Sequence, residues 1–338
     1  MAGSGSRPDN GAPPLKTLAI VGVGLIGASA ARAAKARGLA ERIVGADPDD
    51  KAREAALRLG VVDAVEAEVG PAVAEADLTI VAAPVGAIPS IFADIAGAAP
   101  SGAIVTDVGS VKSAVADAAK PFADRLRIVP GHPIAGTEKS GPEAGFASLF
   151  EGRYVLLTPL QQADAAYGDA VSAVSAFWAG CGAIVETMTP ERHDLALAVT
   201  SHVPHLIAYN IVGTAADLET VTDSEVVKYS AGGFRDFTRI AASDPTMWRD
   251  VFLHNKEAVL EVLGRFTEDL SALQRAIRWG DGDALFNLFT RTREIRRNVI
   301  DAGQETDLPN FGRDAPDSPA APGVAPPSAP SEKGGDLE

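Results

Sequence analysis

The sequence predicts an α/β protein: a doubly wound parallel sheet followed by an all-α domain. Three observations carry this. From Thr17 to about Thr187, short aliphatic runs alternate with Ala-rich helical stretches, the pattern of strands and helices wound along a parallel sheet. A glycine triplet, Gly22-x-Gly24-x-x-Gly27, stands between the first aliphatic run and the first Ala-rich stretch. After Pro190 the strand-like runs stop and helical patterns alone remain.

Residues Met1 to Leu15 are rich in Gly, Ser and Pro and read as a flexible leader. Leu18–Gly22, Arg42–Ala46, Leu78–Ala83 and Ala103–Asp107 read as strands, each a brief aliphatic or β-branched run suited to a sheet buried on both faces. Ile26–Arg37 and Asp49–Leu59 are helical patterns between them. Arg127–Val129 is a further strand, and Tyr154–Thr158 and Ala183–Glu186 are expected as late strands of the same sheet. Beyond Pro190, Glu191–Thr214, Ser224–Tyr229, Asp250–Trp279 and Ala284–Asp301 read as helices. Leu195–Val199 and Leu206–Val212 are apolar on more than one face, which requires burial on all sides. Packing against a second copy satisfies that, so a homodimer is expected. From Asp314 the chain is rich in Pro, Ala and Ser and lacks the apolar residues for a core, as disordered segments do. The expected organisation is a flexible leader (1–16), a nucleotide-binding domain (17–189), a helical substrate and dimerisation domain (190–308) and a disordered tail (309–338).

The bulk numbers bound the function. With 338 residues, 46% hydrophobic and 22% charged, the chain has ordinary globular composition and length for two domains. A net charge of -15 and a pI near 4.8 disfavour nucleic acid and anionic membrane surfaces as partners. An acidic small ligand would need locally placed arginines. The single cysteine, Cys181, allows neither an intramolecular disulfide nor a zinc–thiolate site. No secretory signal is evident, and no apolar stretch long enough to span a bilayer runs free of charge, Gly or Pro. The expected compartment is the cytoplasm.

The glycines have separate tasks. Gly22 permits a tight turn, Gly24 lets backbone approach a pyrophosphate, and Gly27 lets helix and strand pack closely. The pyrophosphate would rest on the helix N-terminus, at Leu25 and Ile26, where unpaired N–H groups and the dipole favour an anion. Asp47 ends the second strand at the offset of about twenty residues expected of a ribose-binding carboxylate. Pro48, Asp49 and Asp50 follow it rather than an arginine, which favours NAD over NADP. The domain is therefore read as Rossmann-type, with NAD as cofactor.

Three strand-end loops converge on the carboxyl edge of the sheet, where ligands of such folds bind. Ala82-Ala-Pro84-Val85 brings Pro84 and Val85 to the cofactor. Thr106–Lys112 brings Ser110, and Pro130–Gly141 brings His132 and Glu138. Histidine is the commonest general base, and His132 is read as one; the bland alternative is a turn residue between Gly131 and Pro133. In the helical half, Ser201 and His205 lie four apart and share a face. His202 lies on the neighbouring surface and reads as a packed helix residue, while Pro204 opens the helix and frees a carbonyl. His193 and Asp194 add to this group, but the spacing fits no usual zinc pattern, so no metal is expected. Arg235 and Arg239, four apart, could each hold a carboxylate in bidentate fashion; the other would pair with Asp236 or Asp244. Trp248 is either core or a ligand wall.

Taken together, Gly22-Val-Gly-Leu-Ile-Gly27, Asp107-Val-Gly-Ser-Val-Lys112, Gly131-His-Pro-Ile-Ala-Gly-Thr-Glu-Lys-Ser-Gly141, Ser201-His-Val-Pro-His205 and Gly233-Phe-Arg-Asp-Phe-Thr-Arg-Ile240 resemble, in this order, the blocks of prephenate/arogenate dehydrogenases. The likeness runs from about Leu18 to about Asn298. The resemblance implies NAD-dependent oxidative decarboxylation of prephenate or arogenate in tyrosine biosynthesis. It implies catalytic roles for His132 and Ser110 and a substrate carboxylate held by Arg239. Ser201, His205 and Trp248 would line the pocket, and Glu138 would gate it. With neutral His132 accepting the ring hydroxyl's proton, activity should rise through a pKa near ~6.5. Neither a fused chorismate mutase nor a regulatory domain is expected. The alternatives are a β-hydroxyacid dehydrogenase, which would place a catalytic lysine where Ser201–His205 stands, and a non-catalytic NAD-sensing protein.

Overall fold

The computed structural model describes residues 14–137, 139–160, 165–222 and 231–301. The predicted leader (but for residues 14–16), the helix expected at Ser224–Tyr229, the tail and Glu138 lie outside the described residues. Six parallel strands form the main sheet: β1 (Leu15–Val21), β2 (Ala40–Ala46), β3 (Ala64–Glu66), β4 (Leu78–Val81), β5 (Ala103–Asp107) and β6 (Leu126–Val129), in the order β3-β2-β1-β4-β5-β6. Central β1 explains itself from its sequence. Leu18 and Ile20 point into one core and Ala19 and Val21 into the other, the period of two that a strand imposes. Helices cover both faces, as an all-parallel sheet requires. On one side α1 (Leu25–Arg37) lies close because Ala28, Ala30, Ala31, Ala33 and Ala34 make its buried face. On the other, α4 (Ile88–Ala98) inserts Phe92 and Ile95. The remaining helices of this half are α2 (Asp50–Arg58), α3 (Val69–Val73) and α5 (Lys112–Ala119).

The later strands correct the sequence reading. β7 (Gly131–Pro133), β8 (Tyr154–Leu157) and β9 (Ile184–Thr187) form a second, three-stranded sheet, with β7 antiparallel and β9 parallel to β8. The main sheet ends at β6 for a visible reason. The Tyr167 hydroxyl of α6 (Ala165–Gly180) accepts from Leu160 N at 2.7 Å and donates to the Ile128 carbonyl at 2.9 Å. That hydroxyl takes up a strand-edge carbonyl that another strand would otherwise claim. Trp178 and Phe177 of α6 then close the first core. β3, three residues long, is a strand that the sequence reading missed.

The helical half holds α7 (Pro190–Leu197), α8 (Val203–Thr222), α9 (Gly232–Thr238), α10 (Pro245–His254), α11 (Lys256–Trp279) and α12 (Gly282–Asp301). Two expected helices are divided. A π turn over Ala198–His202 joins α7 to α8 and ends two residues before Pro204, whose missing N–H and ring demand such an adjustment. Asn255 separates α10 from α11 and is itself buried. The segment Pro190–Leu218 is long and apolar enough by length and composition to cross a membrane. Its inner side, however, carries the buried polar residues His193, Asp194 and His202. On its outer side Leu195, Val199, Ile211 and Val212 are exposed in the single chain, so the burial expected of them would have to come from a second copy. Also exposed are Trp279 at 74% and Phe286 at 70%, with Ile277 and Phe289. Apolar exposure on that scale marks a contact surface.

Candidate active site

The glycine loop takes the form its three positions require. Gly22 has φ 92°, and a Cβ there would lie 2.3 Å from the Ala82 carbonyl oxygen. A Cβ on Gly27 would lie 2.0 Å from the Gly22 carbonyl oxygen. Gly24, by contrast, faces open space, with nothing within 4 Å of its Cβ position. It is also the N-cap of α1, which has no side-chain cap and no acidic residue in its first turn. The N-terminus at Leu25 and Ile26 is thus open and fit for a phosphate group. Asp47 ends β2 as expected, but its carboxylate has a second job. Oδ2 accepts from Val23 N at 3.0 Å and Oδ1 from Asp49 N at 3.0 Å, tying the loop to the strand tip. A carboxylate has further lone pairs for ribose hydroxyls. Pro84 is exposed at the same edge, whereas Val85 is buried and packs beneath Gly109, so Val85 is part of the floor.

His132 sits in β7, paired with Leu156. Its backbone is fixed from below by a buried ion pair, Lys112–Asp107, both side chains being fully buried. Lys112 Nζ donates to the Gly131 carbonyl at 2.6 Å, and Asp107 Oδ1 accepts from Gly131 N at 3.1 Å. Burial pushes the Lys112 pKa below its usual value, against the raising effect of Asp107. The His132 ring meets a partner that the sequence reading did not assign: Nδ1 lies 2.8 Å from Nε2 of His193, and His193 Nδ1 lies 2.8 Å from Asp194 Oδ1. Asp194 also accepts from Lys112 N at 2.7 Å and Ser113 N at 2.8 Å, doing from α7 what an N-cap does for α5. Burial raises the Asp194 pKa; the hydrogen bonds from His193, Ser113 and Lys112 outweigh it and hold the carboxyl below its usual range. Burial first, then the neighbouring His193, Lys112 and His202, push the His132 pKa well below its ordinary value. The expectation of a pKa near ~6.5 is therefore corrected downward.

Across the crevice, His205 and Trp248 stack at 3.7 Å with a 24° interplanar angle. His205 Nδ1 donates to the Ser201 carbonyl at 2.8 Å, the four-residue spacing read from the sequence, which leaves Nε2 as the acceptor in the neutral ring. Burial lowers the His205 pKa, and nearby Arg239 lowers it further against the Ser201 hydrogen bond. Trp248 is nine-tenths buried against Val111 and Val251, and its indole N–H finds no partner among the described residues. Val111 follows Ser110, a half-buried residue of the β5–α5 loop. Arg239 is half-buried beside His205, while Arg235 is exposed. Asp244 spends a carboxylate oxygen capping α10 at Met247 N, 2.8 Å. His202 is packed, as read: its Nδ1 accepts from Asn255 Nδ2 at 3.0 Å, and that amide also donates to the Asp194 carbonyl at 2.9 Å. Burial pushes the His202 pKa down to about 4.

An open helix N-terminus at the carboxyl edge of a parallel sheet, facing a helical half that supplies neutral histidines, defines a class: a two-domain, nucleotide-dependent dehydrogenase. Comparison narrows it. Residues 30–187 match the family model "prephenate dehydrogenase, nucleotide-binding domain" and residues 189–291 match "prephenate dehydrogenase, dimerization domain". A cyclohexadienyl dehydrogenase of Zymomonas mobilis is 41% identical over 281 residues, 83% of this chain and 95% of that protein. The crystal structure of prephenate dehydrogenase from Aquifex aeolicus, in complex with hydroxyphenyl propionate and NAD+, superposes with a TM-score of 0.78 at 35% identity over 84% of this chain and 98% of that one. Arogenate dehydrogenase from Synechocystis gives 0.69 at 25% identity, over 84% and 99%. The chain belongs to the prephenate dehydrogenase family.

Proposed function

We propose that this protein oxidatively decarboxylates prephenate, arogenate or both, with NAD as oxidant, using His132 as base. The observation that carries the reading is the state of His132. It is a neutral histidine held by its Nδ1 at the sheet edge, with its Nε2 making no hydrogen bond among the described residues. When bound, NAD supplies the hydride acceptor. His132 Nε2 accepts the proton of the ring hydroxyl as the carbon–hydrogen bond at that carbon breaks. Loss of the ring carboxylate as carbon dioxide sends its electron pair through the ring to the former carbonyl oxygen, and His132 returns the proton to give the phenol. Proton and electrons balance, and the ring becomes aromatic.

The other residues orient the substrate. Arg239 holds its carboxylate in an otherwise acidic protein, Ser110 binds the ring hydroxyl with His132, and Ser201, His205 and Trp248 wall the pocket. Glu138 gates it on the family resemblance alone. Gly22, Gly24, Gly27, Leu25 and Ile26 cradle the pyrophosphate, and Asp47 selects NAD over NADP, with Pro84 flanking it. We assign the nucleotide-binding domain to 17–189 and the helical domain to 190–308, and propose that the latter pairs two chains through its exposed apolar face. The cytoplasm suits a chain whose one thiol is buried, with its pKa pushed up to about 12. The test is NADH absorbance with purified protein, NAD and prephenate or arogenate in separate cuvettes. Turnover of either acid is expected. Folded protein that binds NAD and turns over neither acid would overturn the reading.

A further inference from the structure

The site described so far uses His132 but not the groups behind it. Asp194 accepts three N–H groups, from Lys112, Ser113 and His193. A carboxyl group in that setting is a carboxylate with no proton of its own to give. The proton between Asp194 and His193 therefore sits on His193 Nδ1. His193 is fully buried, and burial holds it neutral, so its Nε2 is a bare acceptor. The partner 2.8 Å away, His132 Nδ1, must then be the donor. A neutral imidazole with its proton on Nδ1 has a lone pair on Nε2.

We propose that His193, oriented by Asp194, is a positioning residue that fixes His132 in the tautomer whose Nε2 can accept the substrate proton. This rests on the assignment of His132 as base. In water the histidine side chain mostly carries its proton on Nε2, the wrong atom for this task. The two-ring arrangement reverses that preference by geometry: the rings are 5.1 Å apart and inclined at 59°, so each nitrogen lone pair or N–H faces its partner. When His132 takes up the proton, its Nδ1–H bond to His193 strengthens, and the Asp194 carboxylate lies one ring away to balance the charge. The same carboxylate caps α5, directly after Ser110 and Val111. One side chain therefore aligns the base and the start of the helix behind the loop that carries Ser110.

The test combines kinetics with a direct view of the proton. In wild-type protein with 15N-labelled histidine, two-bond 1H–15N correlations should show His132 protonated on Nδ1 and bare on Nε2, the signal being assigned by its loss in His132→Asn. His193→Leu removes the acceptor at similar volume. It should move His132 toward the Nε2–H form and lower kcat by about 10²-fold or more, with KM for the acid little changed. His193→Gln offers an amide oxygen to His132 and an amide N–H to Asp194, and should restore most of kcat and the wild-type tautomer. A wild-type His132 already protonated on Nε2 would overturn the proposal, as would equal loss in Leu and Gln variants. Unimpaired kcat in His193→Leu would overturn it too. An active His132→Asn would instead overturn the underlying assignment of the base, so the two failures are distinguishable.

Discussion

Replacing His202 with glutamine should flatten the acid dependence of stability. His202 is 1% exposed, and its Nδ1 takes a hydrogen bond from Asn255; an amide oxygen can take that bond without titrating. In the unfolded chain the imidazole protonates near ~6.5, whereas burial moves it down to about 4 in the folded protein. The folded pKa is the lower one, so as pH falls the unfolded chain binds the proton first. The neutral ring's contribution to stability is complete above about pH 6.5 and is lost on the way down to about pH 4. The full difference amounts to about 3 kcal/mol at ~1.36 kcal/mol per unit, of which about 2 kcal/mol is gone by pH 5. Urea denaturation at pH 7.5 and pH 5.0, at one protein concentration because subunit association shifts apparent stability, measures it. Wild type should lose about 2 kcal/mol more than His202→Gln between the two pH values, since the other histidines are common to both. Equal losses would refute the claim that His202 is held neutral by burial.

His132→Asn should lower kcat by about 10²- to 10⁴-fold with little change in KM, read from steady-state NADH production. The wild-type acid limb of kcat/KM should fall below ~6.5, because burial and the facing groups His193, Lys112 and His202 all depress the His132 pKa; an inflection at or above that value would contradict the environment described. Arg239→Gln should raise KM for the acid substrate and spare NAD, whereas equal weakening of both would indicate a folding defect. Gly24→Ala should fold normally, since its Cβ meets nothing, yet weaken NAD binding by about tenfold, or ~1.4 kcal/mol, in a fluorescence titration; unchanged affinity would mean that the pyrophosphate lies elsewhere.

Much of this was legible in the sequence, and the parts that were not share a cause. The glycine loop, Asp47, and the Ser201–His205 pair are local patterns, set by neighbours a few residues away, and each stands where its spacing put it. Tyr154–Thr158 and Ala183–Glu186 were recognisable as strands, but not as members of a second sheet. Their assignment turns on the Tyr167 hydroxyl closing the edge of β6, a contact between residues 39 apart. The His193 contact to His132 spans 61 residues, and that of Asp194 to Lys112 spans 82. No period or motif encodes such meetings. The available clue was compositional: a His-Asp pair inside a helix apolar on more than one face needs buried partners. Arg239 and Arg235 were equivalent by spacing, and burial beside His205 separates them.

The π turn between α7 and α8 makes the interval from His193 to His205 a ruler. It packs one residue more into the helix than regular winding would, so a single deletion within Ala198–His202 would let the segment relax into continuous α-helix. That deletion would leave everything beyond it in nearly the same orientation, because the five residues of the π turn wind through about the same angle as one residue fewer of α-helix. Relaxing the turn with its length kept would instead swing His205 by about 100°, the angle per residue of an α-helix, off the face of Trp248 while His193 stayed under His132. Length and π turn are therefore one feature: a chain of this length needs the turn to hold His205 against Trp248, and a chain one residue shorter there would hold it with regular α-helix.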